Sequence, residues 1–172
     1  MSTNMFLKFE DSSMGEGLKG EADDESHAGW IEIVSWGHSF EQPVTNFRTS
    51  TGSTVEKCKH ENITVTKYID NSTPALLKCV WGGKQMTKAY ITCYRSGAPD
   101  GTSQPIEYLQ VVMEEVLVAT YSISGGEGDM PQEELGLSYG TVQYIYHPKD
   151  KITGAKGDQK TAKVSLISNK IE

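Results

Sequence analysis

Apolar residues recur at every second position in nearly every hydrophobic stretch of this chain, and Gly, Pro, Ser or Asp bound those stretches. Successive side chains of a strand point to opposite faces, so this period marks half-buried β-strands of an antiparallel sheet or barrel. Eight strands are expected, at residues 5–9, 30–40, 62–68, 86–95, 105–113, 115–123, 135–147 and 163–167. They suffice to close a β-barrel or to pack as two antiparallel sheets, in a mainly β fold with a single domain spanning 1–172. One segment departs from the pattern. Asp70-Asn71-Ser72 supplies a polar cap, Thr73-Pro74 a first turn, and Ala75, Leu76, Leu77, Cys79 and Val80 an apolar stripe before Gly82-Gly83. These are the start and stop signals of one short helix, from about Thr73 to Trp81, flanking the sheets.

Several strands carry apolar residues on both faces: Tyr144 and Tyr146 oppose Ile145, and Tyr108 and Val112 oppose Leu109 and Val111. A small barrel buries only one face, so a half-apolar outer face asks for a second layer, the helix or a neighbouring subunit. Between Glu41 and Glu61 lies a polar, Thr- and Ser-rich stretch with little periodicity. A connection of that length between two strands is expected to protrude, as a loop at about 41–60. The segments 96–103 and 124–133 are expected as ordinary Gly-rich and acidic connections.

Charge and length narrow the partners. At 172 residues the chain can bury a core without staples, and its three cysteines, Cys58, Cys79 and Cys93, lack the close spacing of zinc ribbons or redox pairs. The net charge of −7 argues against a nucleic-acid partner. No apolar run approaches the roughly 20 residues a membrane helix needs. The start, Met1-Ser2-Thr3-Asn4, has no basic and apolar leader, so Sec-type export is not expected.

The chemistry-bearing patterns dissolve on inspection. Gly136-Leu137-Ser138-Tyr139-Gly140 has the spelling of a nucleophile elbow, but a strand pattern follows it and His147 alone lies downstream, with no acid between. Gly125-Gly126-Glu127-Gly128-Asp129 lacks the Lys of a phosphate loop and is acidic where a phosphate would sit. Cys58 and His60 are two apart, but no second ligand pair stands at metal-site spacing, with His27, His38 and His147 scattered elsewhere. Glu114-Glu115 would put neighbouring carboxylates on opposite faces of a strand, not in an acid–base pair. The reading is a protein with no catalytic residues, no metal and no cofactor, and not an enzyme.

Against that background the sequence resembles the haemolysin-coregulated protein (Hcp) family. The resemblance is carried by Met5-Phe6-Leu7-Lys8-Phe9, Gly20-Glu21 with His27, Trp30-Ile31-Glu32-Ile33, Ser35-Trp36-Gly37, Glu115-Val116-Leu117-Val118, residues 122–126 and Tyr144-Ile145-Tyr146-His147-Pro148. Its most specific stretch is Lys67-Tyr68-Ile69-Asp70-Asn71-Ser72-Thr73-Pro74. The resemblance implies a structural tail tube subunit of a type VI secretion system. In that family six copies form a ring, rings stack into a hollow tube inside a contractile sheath, and the rings carry small effector proteins. Implied partners are further copies of the chain, a VgrG-like spike, the sheath and the effectors, with neither nucleic acid nor membrane insertion. The implied location is the bacterial cytoplasm before firing and the exterior afterwards. The family's ring-stacking arm corresponds to about 41–60, which nominates Gln42, Val44, Asn46, Phe47, Arg48 and Thr51 for stacking contacts. Ser35 and Gly37 are the candidates to face the lumen. An insertion around 12–18 is expected to decorate the rim. Two other readings stand beside this one: a tube protein of a related phage-like contractile injection system, and a monomeric ligand-binding barrel of lipocalin type.

Overall fold

A computed structural model of the chain describes residues 4–11, 18–43, 56–95, 105–151 and 154–172. Among them are twelve strands and one helix. The strands are β1 (Met5–Glu10), β2 (Ile31–Glu32), β3 (Ser35–Gly37), β4 (Phe40–Glu41), β5 (Lys59–His60), β6 (Ile63–Tyr68), β7 (Gln85–Arg95), β8 (Ile106–Ser124), β9 (Gln132–Ser138), β10 (Thr141–Tyr146), β11 (Lys160–Ser165) and β12 (Lys170–Ile171), with the helix α1 (Thr73–Gly82) between β6 and β7.

All pairings are antiparallel, and the ladder closes on itself. Strand β7 pairs with β1 and β1 with β2; the Val34 amide then bonds to the Thr66 carbonyl, β3 pairs with β6, β6 with β9, β9 with β8, and β8 returns to β7. This is a barrel. On the N-terminal half of β8, a wing of β10, β11 and β12 extends the sheet outward.

At three places the chain changes partners, and there the strands differ from the sequence expectation. The strand expected over 30–40 breaks into β2, β3 and β4, which pair with β1, β6 and β5 in turn as the segment crosses from one side of the barrel to the other. The strands expected at 105–113 and 115–123 are one, β8, whose Glu115 adopts a left-handed φ of 55°. The alternation flips there, Val111 and Met113 being buried before it and Val116 and Val118 after it, while the register to β7 runs on unbroken from Lys88–Glu114 to Met86–Val116. Opposite this bend, the strand expected over 135–147 divides at Tyr139-Gly140 into β9 and β10, and the Gly140 amide donates to the Glu114 carbonyl at 3.0 Å. Both ribbons therefore turn at one place, so that β8 pairs with the wing by one half and with β9 by the other. The last expected strand, 163–167, starts earlier, at Lys160, and is followed by β12.

The helix forms where its signals stand but is capped differently. Ser72 makes no side-chain cap; instead Asp70 Oδ1 accepts the Ser72 amide at 2.9 Å, and Thr73 Oγ1 accepts the Asp70 amide at 3.1 Å. At the far end Gly83 takes a φ of 59°, a left-handed stop that glycine adopts without strain. One stripe of the helix, Ala75, Leu76 and Cys79, joins the core with Leu7, Ile31, Ile63, Val65, Met86, Ile91, Leu135 and Leu137. Leu18 also lies in that core, so this end of the expected rim insertion packs inward; 12–17 lie outside the described residues.

Candidate functional site

The barrel's β3–β6 hairpin continues outward as β4 and β5, a separate two-stranded sheet in which Phe40 pairs with His60 and Glu41 with Lys59. This is the base of the predicted arm. Gln42 is exposed there and donates from Nε2 to the Glu56 carbonyl at 2.5 Å, bridging the two sides. Val44, Asn46, Phe47, Arg48 and Thr51 lie outside the described residues.

Behind the arm's base four polar rings form a chain. Tyr144 Oη lies 2.5 Å from His38 Nδ1, Tyr139 Oη 2.7 Å from His38 Nε2, and Tyr139 Oη 2.9 Å from His60 Nδ1. Their order follows from the strands. Tyr144 comes from β10, Tyr139 from the corner between β9 and β10, His38 from the residue after β3, and His60 from β5. Phe40 covers the chain, with ring centroids 4.1 Å from His38 and 5.0 Å from His60. Burial sets the charge state. It pushes His38 down to about 4, with the repulsion of His60 adding to it against a backbone contact of Glu61, and it lowers His60 too. Burial also raises the phenols of Tyr139 and Tyr144, the latter to about 12. All four groups are neutral near pH 7.

A second polar cluster fixes the other end of β6. Lys67 Nζ donates to Glu133 Oε2 at 2.5 Å, to Asp70 Oδ1 at 3.0 Å and to the Tyr68 carbonyl at 2.9 Å. Thr73 Oγ1 donates to the same Glu133 oxygen at 3.1 Å, which ties the helix start to the sheet. Glu133, expected in a connection, is in fact a buried residue of β9 and the cross-strand partner of Lys67. The alternation held the clue: Lys67 shares its face with Ile63 and Val65, and Glu133 with Leu135 and Leu137.

A third cluster sits on the outside of β1. His27 stacks on Phe6 with a centroid distance of 4.5 Å, bonds Asp24 through Nδ1, and lies 2.6 Å from the Tyr94 hydroxyl through Nε2. Tyr94 Oη donates onward to Glu107 at 3.1 Å. Phe6, Asp24, His27 and Tyr94 border a cavity of about 190 Å³.

Ser35 and Gly37 lie on the same face of β3, two residues apart, while Trp36 packs against the core between them. Ser138 closes β9 opposite Leu117, and His147 directs its ring to the Gly157 carbonyl at 3.3 Å, so the two do not meet. Cys58 is exposed, and His60 is engaged with Tyr139; among the described residues no three His, Cys, Asp or Glu side chains converge as a metal set. Nor, among those residues, is any helix long and apolar enough to cross a membrane.

A closed barrel with a winged sheet, a flanking helix and an outward hairpin whose base is locked by neutral rings defines the class of protein by its fold. Comparison with known proteins gives that class its identity. The sequence model of the type VI secretion system effector Hcp matches residues 6–146. The chain is 34% identical over 157 residues to protein hcp1 of Pseudomonas aeruginosa, covering 91% of this chain and 90% of that one. Among solved structures, Hcp1 from Salmonella typhimurium superposes with a TM-score of 0.77 at 27% identity over the whole of both chains. A type six secretion system protein superposes with a TM-score of 0.86 at 23% identity, covering 99% of this chain and all of that one, a likeness of fold. The chain belongs to the Hcp family, the tube proteins of type VI secretion systems.

Proposed function

We propose that six copies of this chain close into a ring, that rings stack through the arm at 41–60 into the tube of a type VI secretion system, and that the lumen carries small effector proteins. A VgrG-like spike would cap the tube and a contractile sheath would surround it. The chain would wait in the cytoplasm and leave with the tube when the sheath contracts. The observation that carries the reading is the 34% identity over 157 residues, which takes in 91% of this chain.

Physical support comes from the surface of the wing and its neighbours. Tyr146, Ile167 and Ile171 stay exposed, Ile171 at 82%, and the wing ends in β12, whose outer side pairs with no strand among the described residues. Exposed apolar side chains on an open edge favour a neighbour that covers them. A heterologous contact of this kind, repeated at a fixed rotation, closes into a ring with two free faces for stacking. Stacking would use Gln42, Val44, Asn46, Phe47, Arg48 and Thr51, and Ser35 and Gly37 would line the lumen.

Mass photometry of the purified protein tests the ring: a species at six times 18.9 kDa is expected. Negative-stain images should show annular particles, and removal of residues 42–55 should leave rings but abolish stacks. A protein that stays a monomer at high concentration would overturn the reading.

A further inference from the structure

The hairpin ladder is interrupted at one place. Gly37 pairs with Thr64 but Phe40 with His60, so the register slips by one residue, and His38 sits in the slip. Among the described residues, every side-chain hydrogen bond from the outer part of the hairpin to the rest of the barrel runs from His38 or His60 to Tyr139 or Tyr144. Among the described residues the exposed Lys59 and Glu41 pair with each other, at 4.0 Å.

Proton counting shows what this chain of rings requires. A neutral imidazole has one donor and one acceptor, and a phenol has one donor. Tyr144 donating to His38 Nδ1, His38 Nε2–H to Tyr139, and Tyr139 to His60 Nδ1 satisfies all three contacts with both histidines neutral. With both protonated, two cations aim N–H groups at the one Tyr139 oxygen, whose own proton then lacks its acceptor inside a buried site. The groups facing the two histidines are Tyr139 and Tyr144, the ring of Phe40, the backbone of Glu61 and, beside Tyr139, Cys58. Among the described residues no carboxylate bonds to either ring to absorb the charge.

We infer that this network is a proton-released latch: neutral His38 and His60 hold the base of the arm against the barrel, and acidification frees it. Histidines in a released arm regain their ordinary value near 6.5, whereas His38 in the closed latch lies near 4. The released state therefore binds more protons between those values, and the latch is at full strength above about 6.5 and weakens as the pH falls toward about 4. The latch deepens the tube reading: that rings would unstack in acid rests on that reading, while the latch itself does not.

Hydrogen–deuterium exchange on the full-length protein tests it, following residues 38–43 and 56–62 at about pH 7.5 and about pH 5 after correction for intrinsic rates. Opening of these residues should be about thirty-fold more frequent at the lower pH, with β7 unchanged. In the His38→Gln, His60→Gln double variant, whose amides bond without titrating, the difference should vanish. Equal protection at both pH values, or a difference that survives in the double variant, would overturn the latch. So would an NMR titration of the unmodified protein in which the His38 ring titrates at its ordinary value. Mass photometry at about pH 7.5 reads the tube proposal separately: a chain that latches but forms no ring sinks that reading and leaves the latch standing.

Discussion

Lys67 and Glu133 face each other across β6 and β9 with their side chains wholly removed from water, Nζ to Oε2 at 2.5 Å. Two charges in that position attract strongly but have lost their hydration, so their net contribution is small while the loss of either partner is large. Lys67→Ala, which strands Glu133, should destabilise by about 3–5 kcal/mol in denaturant titrations. Lys67→Met combined with Glu133→Leu should recover most of that. Equal losses in the single and double variants would mean the pair matters by packing alone.

The bend in β8 makes a contrast between adjacent residues. Glu115 holds a φ of 55°, which a β-carbon resists and glycine does not. Glu115→Gly should therefore leave stability within about 1 kcal/mol of the parent, or raise it. Glu114 has ordinary strand geometry and an ion pair with Lys88 at 3.4 Å, so Glu114→Gly should lower the melting temperature clearly. Identical effects at both positions would argue against a left-handed backbone at Glu115.

Gly20 anchors a strap, residues 18–30, whose His27 stacks on Phe6 of β1, and bonds its amide to the Gly29 carbonyl at 2.8 Å. A β-carbon there would stand 2.5 Å from the Trp30 carbonyl oxygen and 2.7 Å from the Ile31 α-carbon, both backbone atoms that cannot swing aside. Gly20→Ala should cost about 1–3 kcal/mol by overpacking, with loss of exchange protection concentrated in the strap. A neutral substitution would show that the strap shifts freely.

The three thiols should separate by accessibility. Cys58 is exposed, whereas Cys79 and Cys93 are buried and burial raises both thiols. A thiol reagent near neutral pH should label one site per chain quickly and the other two only on unfolding, as mass spectrometry can count. Rapid labelling of Cys79 would place the helix off the sheet.

Alternation made the barrel strands and the helix legible because each buries one face, and burial writes its period into the residues. Where one ribbon serves two partners, the period gives a misleading boundary: the parity change at Glu115 reads as the end of one strand and the start of another, though the backbone runs on. The buried Lys67–Glu133 pair was visible as polar letters in apolar phase, yet a charged residue reads by default as surface. The ring chain behind the arm was not legible at all, since His38, His60, Tyr139 and Tyr144 are brought together only by barrel closure.

Strand β8, 19 residues long, belongs by its two halves to different neighbours. A member common to barrel and wing leaves no seam along which either could come undone by itself. Heat should therefore dismantle the protomer in one cooperative event, with calorimetric and van't Hoff enthalpies in agreement. In the proposed tube, a push on the wing would reach the barrel through continuous covalent chain.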